Sequence, residues 1–188
     1  MDDLTPVKSE FIRRDTIIGS RRFSNYFWAF VVFFASLGFL IVGISSYFHY
    51  DLVFFLSSAE ISFFPQGLVM SFYGISGLFL SLYLSLTIFW SVGGGYNEFN
   101  KKEGVFRLFR WGFPGQNRRI LLTYPLSDIE AIRIEIKEGI NPTRTIYLRL
   151  LGKKTLPLTP IGQPMTLLEI EEQAAELAAF LQVSLEGI

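Results

Sequence analysis

The chain has 188 residues, half of them hydrophobic, with 17 basic and 17 acidic residues, one histidine and no cysteine. The lack of cysteine excludes disulfides, thiolate metal sites and self-ligated iron–sulfur clusters, and a single histidine leaves no His-rich metal site. Residues 98–188 hold 12 basic and 11 acidic residues, a balance that argues against general affinity for nucleic acid.

Residues 1–22 carry Arg13, Arg14, Arg21 and Arg22 and read as an N-terminal segment on the inner side of a membrane. No Asp, Glu, Lys or Arg then occurs between Arg22 and Asp51, nor between Glu60 and Glu98. A charge at a bilayer centre costs roughly 2.5–3.5 kcal/mol on insertion scales, so these tracts predict two membrane spans, about residues 26–47 and 68–90. At about 1.5 Å per residue the first is roughly 33 Å long, enough to cross a hydrocarbon core of about 30 Å. Aromatic residues bracket both, among them Tyr26, Trp28, Tyr47, Phe63, Phe64 and Trp90, at the depth expected of an interfacial belt.

The connecting loop, residues 48–66, holds only Asp51 and Glu60, whereas Lys101, Lys102, Arg107 and Arg110 follow the second span. Retention of basic residues on the cytoplasmic side predicts a hairpin over residues 23–95 with both termini inside. A cleaved signal peptide is the competing reading of the first span. The apolar stretch is longer than the usual 7–15 residues and no A-x-A site closes it, so an uncleaved anchor is expected.

Small residues recur at helical spacing in each span. Ala35, Gly38, Val42 and Ser45 or Ser46 form one row; Ser71, Gly74, Gly77, Ser81 and Ser85 form the other. Such rows let helices approach closely in lipid, either on each other or against a larger complex. No ionisable residue lies at mid-depth, which argues against a pump or transporter. His49 sits at the outer interface, as an anchor or, less simply, a pigment or metal ligand.

Gly93-Gly94-Gly95 lacks the spacing of a phosphate-binding loop and reads as a turned exit from the membrane. Residues 96–188 then alternate in the manner of short strands: Tyr96–Asn100, Val105–Trp111, Arg119–Tyr124, a strand through Ile132, Ile134 and Ile136, another through Ile146, Leu148 and Leu150, and Thr155–Leu158. Asn141-Pro142 and Gly152-Lys153-Lys154 read as turns, while Pro157, Pro160 and Pro164 stop further pairing. Thr166 with Glu169 forms a capping box for a closing helix whose apolar stripe runs through Leu167, Ile170, Ala174, Leu177, Ala178 and Leu181. The predicted fold class is a two-helix membrane hairpin plus a small α+β domain, antiparallel strands capped by a C-terminal helix in pleckstrin-homology-like order. Another small α+β sandwich is the alternative.

No catalytic, cofactor or metal-binding constellation emerges, and the chain does not read as an enzyme. Asp128 and Glu130 are two apart, but they sit at a strand start facing solvent. Arg107, Arg110, Arg118 and Arg119 interleave with Phe106, Phe109, Trp111 and Phe113, a pattern that suits headgroup contact or protein docking. Glu169, Glu171 and Glu172 are either a solvated helix face or a surface for a basic partner. The candidate partner-binding residues are accordingly Arg107, Arg110, Trp111, Glu169 and Glu171.

Several stretches together carry a resemblance: Arg13-Arg14-Asp15, Gly19-Ser20-Arg21-Arg22-Phe23-Ser24-Asn25-Tyr26, Phe64-Pro65-Gln66-Gly67, Trp90-Ser91-Val92-Gly93, Gly95-Tyr96-Asn97, Phe109-Arg110-Trp111-Gly112-Phe113-Pro114-Gly115, and Gly162-Gln163-Pro164 leading into Leu168-Glu169-Ile170-Glu171. Over nearly the whole chain this closely resembles the photosystem I assembly protein family of cyanobacteria and plastids. The resemblance implies a multi-pass thylakoid protein with two spans and a stromal or cytoplasmic C-terminal domain. It further implies a non-catalytic scaffold, part of a large complex, that docks reaction-centre and extrinsic subunits of photosystem I and other assembly factors. A membrane-tethered module for anionic lipid is the alternative from the arginine cluster, and direct pigment binding is a weaker third reading.

Overall fold

The charge-free tract after Arg22 is helical over Phe23–Phe48 (α1), and the second over Leu68–Phe89 (α2). These are features of a computed structural model of the chain, which describes residues 6–53, 60–137, 139, 143–152, 154–159 and 166–187. Expectations for 54–59 of the loop, for the Asn141-Pro142 turn, for Lys153, for Pro160 and Pro164, and for the Gly162-Gln163-Pro164 stretch lie outside those residues. The chain divides into two units, residues 20–92 and residues 1–19 with 93–188.

In the helical unit, Phe63–Gly67 lead into α2 with Phe64 in an extended conformation, and His49 ends α1 in the left-handed region. Helices suit these tracts because every backbone polar group is satisfied within the segment. Large apolar side chains point outward all around: Phe30 is 63% exposed and Phe79 69%. A core helix of a soluble protein would bury such rings, whereas a hydrocarbon phase solvates them.

The two helices meet along a stripe of repeat seven. Ala29, Ser36 and Gly43 are buried on α1, facing Gly67, Gly74, Ser81 and Ile88. A β-carbon added at Gly74 would come within 2.6 Å of the Leu40 nitrogen, so hydrogen is the only side chain that fits there. The Ser81 hydroxyl donates to the Ala29 carbonyl at 3.1 Å, and the Arg21 guanidinium donates to the Ile88 and Phe89 carbonyls at 3.3 Å, satisfying the end of α2. The expected row on α1 holds at Ser45 and Ser46, both fully buried, and is corrected above them: Ala35 is exposed and a β-carbon on Gly38 would meet nothing within 4 Å. Ser85, expected in the row on α2, is exposed as well. At about 3.6 residues per turn, a shift of one residue rotates the facing stripe by about 100°.

The other unit is built from two antiparallel-rich sheets and one helix. One sheet has five strands, β1 (Val7–Lys8), β2 (Ile12–Ile18), β3 (Gly94–Asn100), β4 (Val105–Trp111) and β5 (Arg119–Pro125), in that order. The second contains β6 (Ile129–Lys137), β7 (Thr143–Leu150), β8 (Lys154–Pro157) and β9 (Ser184–Glu186), in the order β8-β7-β6-β9, with β9 parallel to β6. Helix α3 spans Leu167–Leu181 and carries the expected capping box, Thr166 accepting from the Glu169 N–H and Glu169 from the Thr166 N–H. Inward-facing Phe99 and Phe106, stacked with centroids 4.6 Å apart, pack with Ile132, Ile146, Leu148 and, from α3, Ile170, Ala174 and Leu177. Full burial stabilises each large side chain by about 1.5–3 kcal/mol.

The expected inner-side segment, residues 1–22, holds strands that its basic residues did not announce. Residues 12–18, read as a basic flank of the membrane, form a strand paired with β3 along its whole length: Ile12 pairs with Asn100 and Ile18 with Gly94. The physical reason is that β3 buries residues on both faces of the sheet and needs a bonded neighbour on each side. Strand β9, beyond the predicted helix, was not anticipated either.

Candidate docking surface on the sheet

Directly opposed residues on antiparallel strands share a face. The register therefore places Arg14, Glu98 and Arg107 side by side on one face of the five-stranded sheet, with Thr16, Tyr96, Phe109 and Leu121 in the next row. Glu98 is 4% exposed even so, because both arginines lie over it. Arg14 Nε donates to it at 2.8 Å and Arg107 Nη1 at 2.9 Å. Arg107 pairs with Glu103 as well, and hydrogen bonds to the two carboxylates raise its pKa. Burial alone would raise the Glu98 carboxyl; hydrogen bonds and charge from Arg14 and Arg107 outweigh it and hold that group below its ordinary value of 4.5.

Aromatic rings continue the face. Tyr96 stacks on Phe109 at 5.2 Å, Phe109 meets Trp111 edge-on at 5.0 Å, and the Arg14 guanidinium lies 4.8 Å over Tyr96. Arg118 and Arg119 lie over the Trp111 ring at 5.5 and 5.4 Å. Arginine over aromatic faces is attracted by the ring quadrupole and keeps a planar fork available for carboxylate or phosphate.

The five predicted residues separate. Arg107 and Trp111 lie on this face. Arg110 is on the opposite one, where its guanidinium donates to the Tyr96 and Phe109 carbonyls at 3.0 and 2.7 Å, to Asn97 Oδ1 at 2.7 Å and to the Leu158 carbonyl at 3.5 Å. Burial pushes it down to about 10, still cationic at neutral pH. Arg110, expected as a docking cation, is half-buried and clamps β3 to the residues after β8. Glu169 is committed to the cap of α3, and the backbone and side-chain hydrogen bonds from Thr166 lower its pKa. Glu171 is half-buried and Glu172 exposed on the same helix.

Sequence reasoning missed Glu98, Arg14 and Tyr96. The signal available was the run Thr16-Ile17-Ile18, β-branched and therefore strand-prone, but it was overshadowed by the arginines. The N-terminal strands also reach α3: Lys8 pairs with Glu176 at 3.0 Å and Arg13 with Glu176 at 3.5 Å. Asp128 is half-buried beside β6. His49 is exposed, and among the described residues no three of His, Asp and Glu gather as metal ligands.

The geometry defines a class: two apolar helices of membrane-crossing length joined to an α+β domain that presents an arginine–aromatic face. The particular family is given by comparison with known proteins. The Ycf4 family model matches residues 10–179. The chain is 65% identical to the photosystem I assembly protein Ycf4 of Chlorokybus atmophyticus over 96% of each chain. It is 66% identical to that of Nephroselmis olivacea, covering 95% of this chain and 98% of the relative, and 60% identical to that of Chlamydomonas reinhardtii, covering 94% and 96%. The chain belongs to the Ycf4 family.

Proposed function

We propose that this chain is a non-catalytic photosystem I assembly factor of the thylakoid membrane, a scaffold on which newly made subunits gather. The observation that carries the reading is near-full-length identity to relatives named photosystem I assembly proteins. In this reading α1 and α2 cross the bilayer with both termini on the cytoplasmic or stromal side. The confinement of basic residues to the flanks of the two charge-free tracts supports that orientation. The β domain is of pleckstrin-homology type, a reading supported by two sheets closed by a C-terminal helix. Arg107 and Trp111 on the sheet and Glu171 on α3 contact partners, while Arg110 and Glu169 hold those surfaces in shape.

Replacing the gene with a tagged copy tests this directly. Photosystem I, followed by its P700 absorbance change, should fall when the protein is absent, and photosystem I subunits should co-purify with the tag. Normal photosystem I in the deleted strain defeats the reading. Charge reversal at Glu171 and Glu172, which spares the Glu169 cap, should lower subunit recovery. Protease added to the lumenal side of sealed vesicles should spare the β domain.

A second reading, an anionic-lipid-binding module, is favoured by the exposed Arg118 and Arg119 lying over the half-buried Trp111 ring. Vesicle flotation of residues 6–19 joined to 93–188 tests it. Equal binding to neutral and anionic vesicles removes it.

A further inference from the structure

Among the described residues strand β5 is an edge of the five-stranded sheet, bonded to β4 on one side only. Two backbone bonds reveal the phase of that pairing: the Gly112 N–H donates to the Arg118 carbonyl and the Leu126 N–H to the Gly104 carbonyl, each at 2.8 Å. Both lie on the register that opposes Val105 to Pro125 and Trp111 to Arg119. Bonded and non-bonded pairs alternate along an antiparallel ladder. Ile120, Leu122 and Tyr124 therefore bond inward to β4, while Arg119, Leu121 and Thr123 direct their N–H and C=O groups away from the sheet. Pro125, next in that phase, has no N–H and ends the open row.

Proteins blunt such edges with short strands, charges, proline, bulges or covering segments. The other outer strands here are short: β1 has two residues, β8 has four and ends at Pro157, and β9 has three. In contrast β5 has seven, with no charge between Arg119 and Pro125. Its apolar side chains stand exposed on both faces, Leu121 by 56% beside Phe109, and Ile120 and Leu122 by 43% and 37% on the other.

We propose that β5 takes up an extended segment of a partner protein as an additional strand, with apolar side chains at alternate positions and an Asp or Glu beside Arg118 and Arg119. Main-chain bonds to Arg119, Leu121 and Thr123 would supply the attachment, and the side chains its selectivity. The carboxylate follows from charge complementarity: among the described residues the ion pairs involve neither Arg118 nor Arg119. A second copy of this chain fits less well. Two β5 strands related by a two-fold axis through Leu121 oppose Arg119 to Thr123, and residues 119–125 contain no acid. The inference rests on the assembly reading for the existence of a partner and adds where and how that partner attaches.

The test places a photo-crosslinking amino acid at Leu121 in the full-length chain in thylakoid membranes and sequences the captured peptides. The expected adduct is a segment of another protein that carries Asp or Glu next to alternating apolar residues. Its yield should fall by about tenfold or more in Thr123→Pro and in the Arg118→Glu/Arg119→Glu variant, and persist in Thr123→Val, which keeps the N–H. Thr123→Pro removes an outward donor and leaves the β4 ladder intact; should its domain melt early, Thr123→Lys serves instead. Adducts to a second copy or to lipid alone, or a yield indifferent to these substitutions, overturn the proposal. Undiminished co-purification of photosystem I subunits with Thr123→Pro refutes the edge and leaves the assembly reading standing. A wild-type protein that captures no such subunit refutes the assembly reading itself.

Discussion

Arg14 and Glu98 stand opposite each other across β2 and β3, 84 residues apart in the chain, and Arg14 Nε donates to the Glu98 carboxylate at 2.8 Å. The two long apolar helices lie between them in sequence. This pair, closed on the other side by Arg107, joins the segment before the first helix to the domain after the second.

Glu98→Gln should destabilise the β domain by about 1.5–3 kcal/mol, the loss expected for charge-assisted hydrogen bonds in a buried setting. Pulse proteolysis of the full chain in urea measures it. The folded carboxyl titrates below its ordinary 4.5, so the ionised form stabilises the fold above that value, and the contribution disappears as pH falls through the folded value. The gap between wild type and variant should be constant at neutral pH and close progressively below about 4.5.

Residues 96–188 alone should not fold, whereas residues 6–19 tethered to 93–188 should give a cooperative domain. A β-carbon on Gly19 would lie 2.6 Å from Gly94 Cα, so a linker of a few glycines can join the two pieces. Amide dispersion in NMR spectra distinguishes the two polypeptides, and an ordered 96–188 fragment would contradict the role given to β2.

Gly74→Leu should force α1 and α2 apart, at a cost of about 1–3 kcal/mol for overpacking, while Gly38→Leu should leave the pair undisturbed. The chain has no cysteine, so a disulfide between Ser36→Cys and Gly77→Cys reports helix proximity without background. Its formation should slow in Gly74→Leu only.

Arg110→Lys should lower stability by about 1–3 kcal/mol, since an ammonium cannot reproduce the fork that satisfies three carbonyls and Asn97. Partner recovery, normalised to folded protein, should stay close to wild type. Loss of recovery without loss of melting temperature would return Arg110 to the docking surface.

Much of the architecture was legible from local pattern. The strand Val105–Trp111 and the capping box at Thr166 and Glu169 are written in period-two alternation and in a three-residue spacing, both short-range signals. The helix-facing stripe is half legible: the small-residue rows contain Gly74 and Ser81 of α2 and Ser45 and Ser46 of α1, but on α1 they run through Ala35 and Gly38 where Ala29, Ser36 and Gly43 are buried. A tract that is apolar on all sides has no polar face to mark its orientation, so helical phase is set by the partner helix. Among site residues, Arg107 and Trp111 were legible as an arginine–aromatic surface. The inward turn of Arg110 was not, because neighbouring residues on a strand point to opposite faces and only the pairing says which face is covered.

From the amino-acid order alone came the two charge-free spans, the run of strands after them and the capped closing helix, since each depends on composition and periodicity within about twenty residues. Tertiary structure alone decided that Ile12–Ile18 completes the sheet, that Glu98 lies buried between two arginines, and that β5 is left at an edge. Those outcomes depend on which strands meet across a hairpin of more than seventy residues, and hydrogen-bond pairing at that separation leaves no periodic trace in either segment.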